Sequence, residues 1–429
     1  MSDVKQYIPI IREHIHRDYK GMYRKAGNPF PYPFLTPGSA QYADVLWDWD
    51  SWLSNIALRQ ILLETGNAED SREAVAYEQG CVLNFLSFSD YQGWMPISVS
   101  RSAEEKYSIA DKKPKDMFLH NMHKPVLAQH AAFLVKQAHG DAEWLREKFY
   151  FLQTFLNNYR NHHRHRATGL FYWQDDCAIG VDDDPCTFGR PPKSSGSIYL
   201  NALMYRELLA MTYLCERLSL NEVGLQFSAD AAALKAAVQD HCWDERDGFY
   251  YSVDLNLVPH RDEPAFTLHS GQLRDWECLI MRIGVWSGFL ALWAGIATPE
   301  QAKRVAAEHF RNEKTFNAPF GVRSLSKMEK MYNLKASGNP STWRGPIWGI
   351  ANYMTFRGLV RYGFKDEARE LAEKTILLFG RDVERFGALH EYYQPENGEP
   401  ILNRGFQNWN YLVLNMTAWV EGAPTVEEF

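Results

Sequence analysis

The chain has 429 residues, 45% hydrophobic and 23% charged, with a formal net charge of −7, which provides material for a large core and no cationic stripe for neutralising phosphates. Disorder is thereby excluded over most of the chain, and nucleic acid is disfavoured as a partner. The six cysteines lack any CxxC spacing and Met1-Ser2-Asp3-Val4-Lys5-Gln6 lacks an apolar signal core, so a cytoplasmic protein with no metal, no cofactor and no membrane span is expected.

In chain order, apolar steps of three and four predict helices over 4–19, 51–64, 71–85, 126–139, 142–162, 198–218, 221–242, 285–296, 299–310, 347–362, 365–379 and 406–420. The segment 198–218 is the clearest, with Leu200, Leu203, Met204, Leu208, Met211 and Leu214 on one face. Strands are few. Two aromatic runs follow glycine turns, Thr168-Gly169-Leu170-Phe171-Tyr172-Trp173 and Asp247-Gly248-Phe249-Tyr250-Tyr251, and suit brief extended segments. Their recurrence between helix pairs predicts an all-α toroid in which each pair packs on the next and the loops gather at the two ends. No Pro/Gly/Ser-rich linker divides the chain, so one domain over 1–429 is expected, with loop insertions near 90–122 and 175–196 walling a pocket mouth. An open solenoid is the second architecture, disfavoured because the spacing is irregular.

Glycoside hydrolysis needs two carboxyl groups flanking the scissile bond, and two segments place acids among aromatics and turn residues. The first, Trp173 to Pro185, contains Asp182-Asp183-Asp184; three adjacent carboxylates repel one another, which favours a proton on one of them and suits a general acid. A solvated turn or a calcium loop is an equal reading of these residues alone, although the EF-hand spacing is absent. The second is His390-Glu391-Tyr392-Tyr393-Gln394-Pro395-Glu396-Asn397-Gly398, which by itself also reads as a surface hairpin. Three further segments combine Trp with polar side chains at helix starts: Leu46-Trp47-Asp48-Trp49-Asp50-Ser51-Trp52, Ser341-Thr342-Trp343-Arg344-Gly345-Pro346-Ile347-Trp348 and Gly405-Phe406-Gln407-Asn408-Trp409-Asn410. A sugar asks for an apolar ring face together with groups that chelate hydroxyls, so these segments are candidate walls of a carbohydrate site.

This set resembles glycoside hydrolase family 63 and its relatives the trehalases, over about 47–410. The resemblance implies an (α/α)6 barrel that inverts the anomeric centre without a cofactor, acting on a small α-glucoside or α-mannoside. Ile179-Gly180-Val181-Asp182-Asp183-Asp184-Pro185 falls on the family's acid motif, which selects Asp182 as general acid, and Glu391 falls on the family's base. Asp183 and Asp184 stand where the pattern has Asn and Ser. The implied substrate-binding residues are Trp47, Trp49, Asp50, Trp173, Arg190, Trp343, Arg344, Trp348, Gln407 and Trp409. The short chain is similar to compact bacterial members that act on glucosylglycerate or mannosylglycerate, and Arg190 or Lys193 would then meet the acidic aglycone. Neutral α-linked disaccharides as substrates, or a barrel that binds sugar without cleaving it, are the alternatives. His162-His163-Arg164-His165 is read as a solvated helix end, because adjacent histidines do not share a helix face. His120 to Pro125 is read equally as structural or as a substrate-facing loop.

Overall fold

The computed structural model describes residues 2–101, 113–257, 275–335 and 341–429. Helices α1 (Ser2–Asp18), α2 (Asp48–Thr65), α3 (Ala68–Phe88), α4 (Leu127–Gln137), α5 (Phe149–His162), α6 (Ile198–Arg217), α7 (Asn221–His241), α8 (Leu290–Ala294), α9 (Pro299–Arg304), α10 (Gly349–Arg361), α11 (Lys365–Phe386) and α12 (Val413–Glu421) occupy the regions that the apolar spacing marks. The even-numbered helices are buried almost all round: every residue from Asp48 to Leu58 in α2, and from Gly349 to Leu359 in α10, is buried. The odd-numbered helices bury one stripe, as in α7, where Gly224, Phe227, Ala231, Leu234 and Val238 recur at steps of three and four. A helix with no polar face needs neighbours on every side, and a helix with one apolar stripe needs them on one.

The packing satisfies both demands. Helices α2, α4, α6, α8 and α10 touch in succession, and the 3-10 segment Asn408–Leu412 that leads into α12 packs against both α10 and α2, closing a ring. Outside it, α3 lies on α2 and α4, α7 on α6, and α11 on α10 and α12, while α1 returns from the start of the chain to cover α11. This is an (α/α)6 barrel. The inner helices approach closely where side chains are absent: a Cβ on Gly358 of α10 would meet the backbone nitrogen of Trp293 in α8 at 2.9 Å. One continuous apolar cluster runs from Tyr7 of α1 to Met416 of α12.

Several helices depart in detail from the pattern. The regions before α5 and α8 wind as 3-10 turns, Glu143–Lys148 and Trp286–Phe289, and α9 continues as a π-helical turn over Val305–Phe310. Helix α11 runs seven residues past the expected end, because the core still receives Asp382 and Val383, and it stops at Gly387, whose φ is 62°. Short strands feed the inner helices: Val45–Trp47, paired with Ser98–Ser100, enters α2, and Ile347–Trp348, paired with Tyr392–Tyr393, enters α10. Residues 102–112 of the insertion expected near 90–122 lie outside the described residues. Among the described residues no helix is long and apolar enough to cross a membrane.

Candidate active site

At the end of the barrel where the inner helices begin, a cavity of about 150 Å³ is lined by Tyr42, Trp47, Trp49, Asp50, Lys124, Ala178, Gly180, Asp182, Ser341, Trp343, Trp348, Glu391 and Trp409. Its contributors precede or open α2, α4, α10 and the Asn408–Leu412 turn, which explains why segments far apart in sequence converge. The aromatic wall is a layered stack. Trp343 lies on Trp348 at 4.2 Å with planes 5° apart, and Trp348 lies on Tyr392 at 4.5 Å; Trp49 meets Trp409 edge-on at 5.4 Å. Flat faces held this firmly suit the apolar side of a sugar ring.

The acid loop is fixed from two directions. Asn121 donates to the Asp175 and Cys177 carbonyl oxygens at 3.0 and 2.9 Å, and its own Oδ1 accepts from the Gln174 nitrogen. From the other side, Ser341 Oγ donates to Asp182 Oδ2, the Trp343 nitrogen donates to Asp183 Oδ1 at 2.8 Å, and Arg344 Nε donates to Asp183 Oδ2 at 3.0 Å. Asp183 is therefore a strut between the two loops, leaving Asp182 as the member of the acid triplet that lines the cavity. Burial raises Asp183 against the hydrogen bonds it accepts, and raises Asp184 to about 6. Desolvation is thus the main cause of the perturbed acids here, ahead of the mutual repulsion the triplet suggests. Gly180, with φ of 87°, lets the loop pass over the floor: a Cβ there would lie 2.6 Å from Lys124 Cε and 3.0 Å from the Trp49 ring.

In the same cavity, Glu391 is 5% exposed and accepts from Tyr42 Oη at 3.2 Å and from Asn403 Nδ2. Burial pushes it up to about 7; the hydrogen bonds from Asn403 and Tyr42 pull the other way, and the Asp182 charge adds to the rise. On the floor, Asp48 accepts from Lys124 Nζ at 2.9 Å on both oxygens, and that ammonium lies 5.3 Å from the Trp49 ring centre. Asp50 accepts from Asn408 Nδ2, and burial together with the Asp48 charge holds it well above the ordinary carboxylate range.

Of the expected site residues, Trp47, Trp49, Asp50, Asp182, Trp343, Trp348, Glu391 and Trp409 meet in this cavity. Four stand off its lining. Trp173 is buried behind it, 5.9 Å from Tyr199; Arg344 is held by Asp183; Arg190 is ion-paired with Asp254 at 2.6 Å; and Gln407 donates to the Asp18 carbonyl at 2.9 Å, tying the end of α1 to the barrel. Tyr42 and Asn403 carry no signal in the sequence; Ser341 lies in the Trp-containing segment 341–348, and Lys124 lies within the segment 120–125, which reads both ways. The histidine cluster also differs from a solvated end: His163 is buried beside Tyr159, and desolvation lowers it to about 3.

A helical barrel whose cavity brings two carboxyl groups into a tryptophan-lined space is the architecture of a glycoside hydrolase. The chain belongs to the mannosylglycerate hydrolase MGH1-like glycoside hydrolase domain family, within glycoside hydrolase family 63, whose model matches residues 43–410. It is 24% identical over 324 residues, 72% of this chain and 36% of the other, to a probable mannosyl-oligosaccharide glucosidase of Schizosaccharomyces pombe. It is 25% identical over 182 residues, 42% of this chain and 34% of the other, to the mannosylglycerate hydrolase of Rubrobacter radiotolerans. The chain thus matches about a third of the length of these curated relatives. The fold superposes on the family 63 mannosylglycerate hydrolase of Thermus thermophilus, solved in complex with glucose, with a TM-score of 0.65 at 20% identity, over 94% of this chain and 98% of that one.

Proposed function

We propose that the chain is an inverting, exo-acting α-glycosidase that hydrolyses a small α-mannoside or α-glucoside, with mannosylglycerate or glucosylglycerate as the favoured substrates. The observation that carries this reading is the convergence of Asp182, Glu391 and the tryptophan stack on one cavity of about 150 Å³, well below the roughly 300–1,000 Å³ of ordinary ligand sites and matched to a single terminal sugar ring. Asp182 gives its proton to the departing oxygen; Glu391 takes one from a water that attacks the opposite face of the anomeric carbon. Asp50 and Lys124 offer polar groups to ring hydroxyls on the floor. The family's name and the relatives named mannosylglycerate hydrolase support mannosylglycerate among these substrates. Arg190 is already committed to Asp254, so an acidic aglycone does not rest on it.

The test is turnover of α-mannosylglycerate, α-glucosylglycerate and neutral α-disaccharides, followed by time-resolved NMR of the anomeric proton. The released sugar is expected first as the β-anomer; an initial α-anomer overturns the inverting assignment. Asp182→Asn and Glu391→Gln are each expected to lower kcat/KM roughly 10²- to 10⁴-fold with the fold intact. Near-normal rates in either variant remove that residue from the pair.

A further inference from the structure

The carboxyl of Glu391 is gripped asymmetrically. The strand Tyr392–Tyr393 pairs with Pro400–Leu402, and the Glu391 nitrogen donates to the Leu402 carbonyl at 3.0 Å, so the hairpin returns Asn403 to the side of Glu391. Asn403 Nδ2 donates to Oε2 and lies 3.4 Å from the Tyr42 oxygen, while Tyr42 Oη reaches Oε1 at 3.2 Å and Oε2 at 3.4 Å. Asn403 has φ of 52°, a left-handed conformation that Asn tolerates better than most residues. Tyr42 is itself held edge-on by Trp47 and Phe406.

Resting on the proposed role of Glu391, we infer that Asn403 is a positioning residue that occupies Oε2, while Tyr42 spans both oxygens with its shorter contact to Oε1, so that the second lone pair of Oε1 is left for the attacking water. In that step the water oxygen bonds to the anomeric carbon, its proton passes to Oε1, and the glycosidic bond breaks as Asp182 protonates the leaving oxygen. A carboxylate that accepts two donors is favoured in its ionised form, which a base requires. The other titratable groups that interact with Glu391 are Asp182 on the acid loop, Asp50 on α2 and the adjacent Tyr392. His390 is engaged with Asp382, and Lys124 with Asp48. Among the described residues, Asn403 and Tyr42 are thus the groups that offset burial.

The test is the pH profile of kcat/KM for Asn403→Gly, which removes the carboxamide while keeping a residue that accepts the left-handed backbone. The acid limb is expected to rise by about one pH unit, from near 7 to near 8, so that the rate falls about tenfold at pH 6 and about twofold at pH 8. Asn403→Asp sets a like charge beside Glu391 and is expected to move the limb further in the same direction; Tyr42→Phe moves it the same way. An acid limb that stays at its original pH in all three folded variants, with only the plateau lowered, overturns the inference. Glu391→Gln run in parallel separates the two failures: activity retained there removes the base itself, whereas an inactive Glu391→Gln with unmoved limbs removes only the role of Asn403.

Discussion

Under the role proposed for it, Glu391 couples catalysis and stability in opposite senses. Its folded value of about 7 exceeds the ordinary 4.5, so the native state holds a proton that the unfolded chain has released between those pH values. Stability from this group is present below about pH 4.5 and lost as pH rises through 7, whereas a general base works only above 7. Glu391→Gln is therefore expected to be more stable than the parent by about 3 kcal/mol at pH 8, and the gain should vanish below about pH 5. Urea unfolding at the two pH values measures it, and a variant less stable at pH 8 contradicts the burial argument. At Asp183 the comparison is between shape and charge. Asp183→Ala strands the Trp343 nitrogen and the Arg344 guanidinium and is expected to cost about 3 kcal/mol, while Asp183→Asn keeps an acceptor for the backbone and should cost about 1 kcal/mol.

At the scale of elements, buried carboxylates serve as caps and braces between neighbouring helices. Glu207 of α6 accepts from the Ala128 and Gln129 nitrogens at 2.7 and 3.0 Å, so one inner helix caps the start of the next. Burial raises Glu207 to about 8, against those hydrogen bonds. At the far end of α10, Arg357 Nε donates to Glu428 at 2.9 Å, and Tyr353 Oη donates to the same oxygen at 3.1 Å, which fastens the C-terminal tail to α10. Arg357→Met leaves Glu428 buried without its cation and is expected to cost about 3–5 kcal/mol, whereas adding Glu428→Gln should recover much of the loss. A double-mutant cycle by thermal unfolding checks this; equal losses in the single and double variants would show that the tail is held by packing alone.

At the scale of the whole molecule, the barrel buries several acids whose ionisation opposes folding: Glu78 and Glu391 are raised to about 7, Glu207 to about 8 and Asp184 to about 6, all mainly by burial. Each contributes stability that is lost as pH climbs through its folded value, so the signs add. The Tm is expected to peak on the acidic side and to fall from about pH 6 to about pH 8.5, the range in which Glu391 loses its proton and the base role proposed for it begins. A Tm that rises across that interval contradicts the expectation. The ring also explains where the site lies, since loops that enter successive inner helices meet only when those helices close on themselves.

Much of this was legible in sequence because helical periodicity is local: α6 follows from Leu200, Leu203, Met204, Leu208, Met211 and Leu214, whichever partner they meet. The Trp-rich helix starts and the two acid segments likewise declared themselves through composition, and the family motif singled out Asp182 from a triplet that charge alone left open. Tertiary structure decided which polar groups pair. Gln407 and Arg190 carry suitable chemistry but are committed to Asp18 and Asp254, and Tyr42 reaches Glu391 across 349 positions of chain. A hydrogen bond depends on separations of a few ångströms between residues that lie hundreds of positions apart, and only the closure of the helix ring brings such residues within reach.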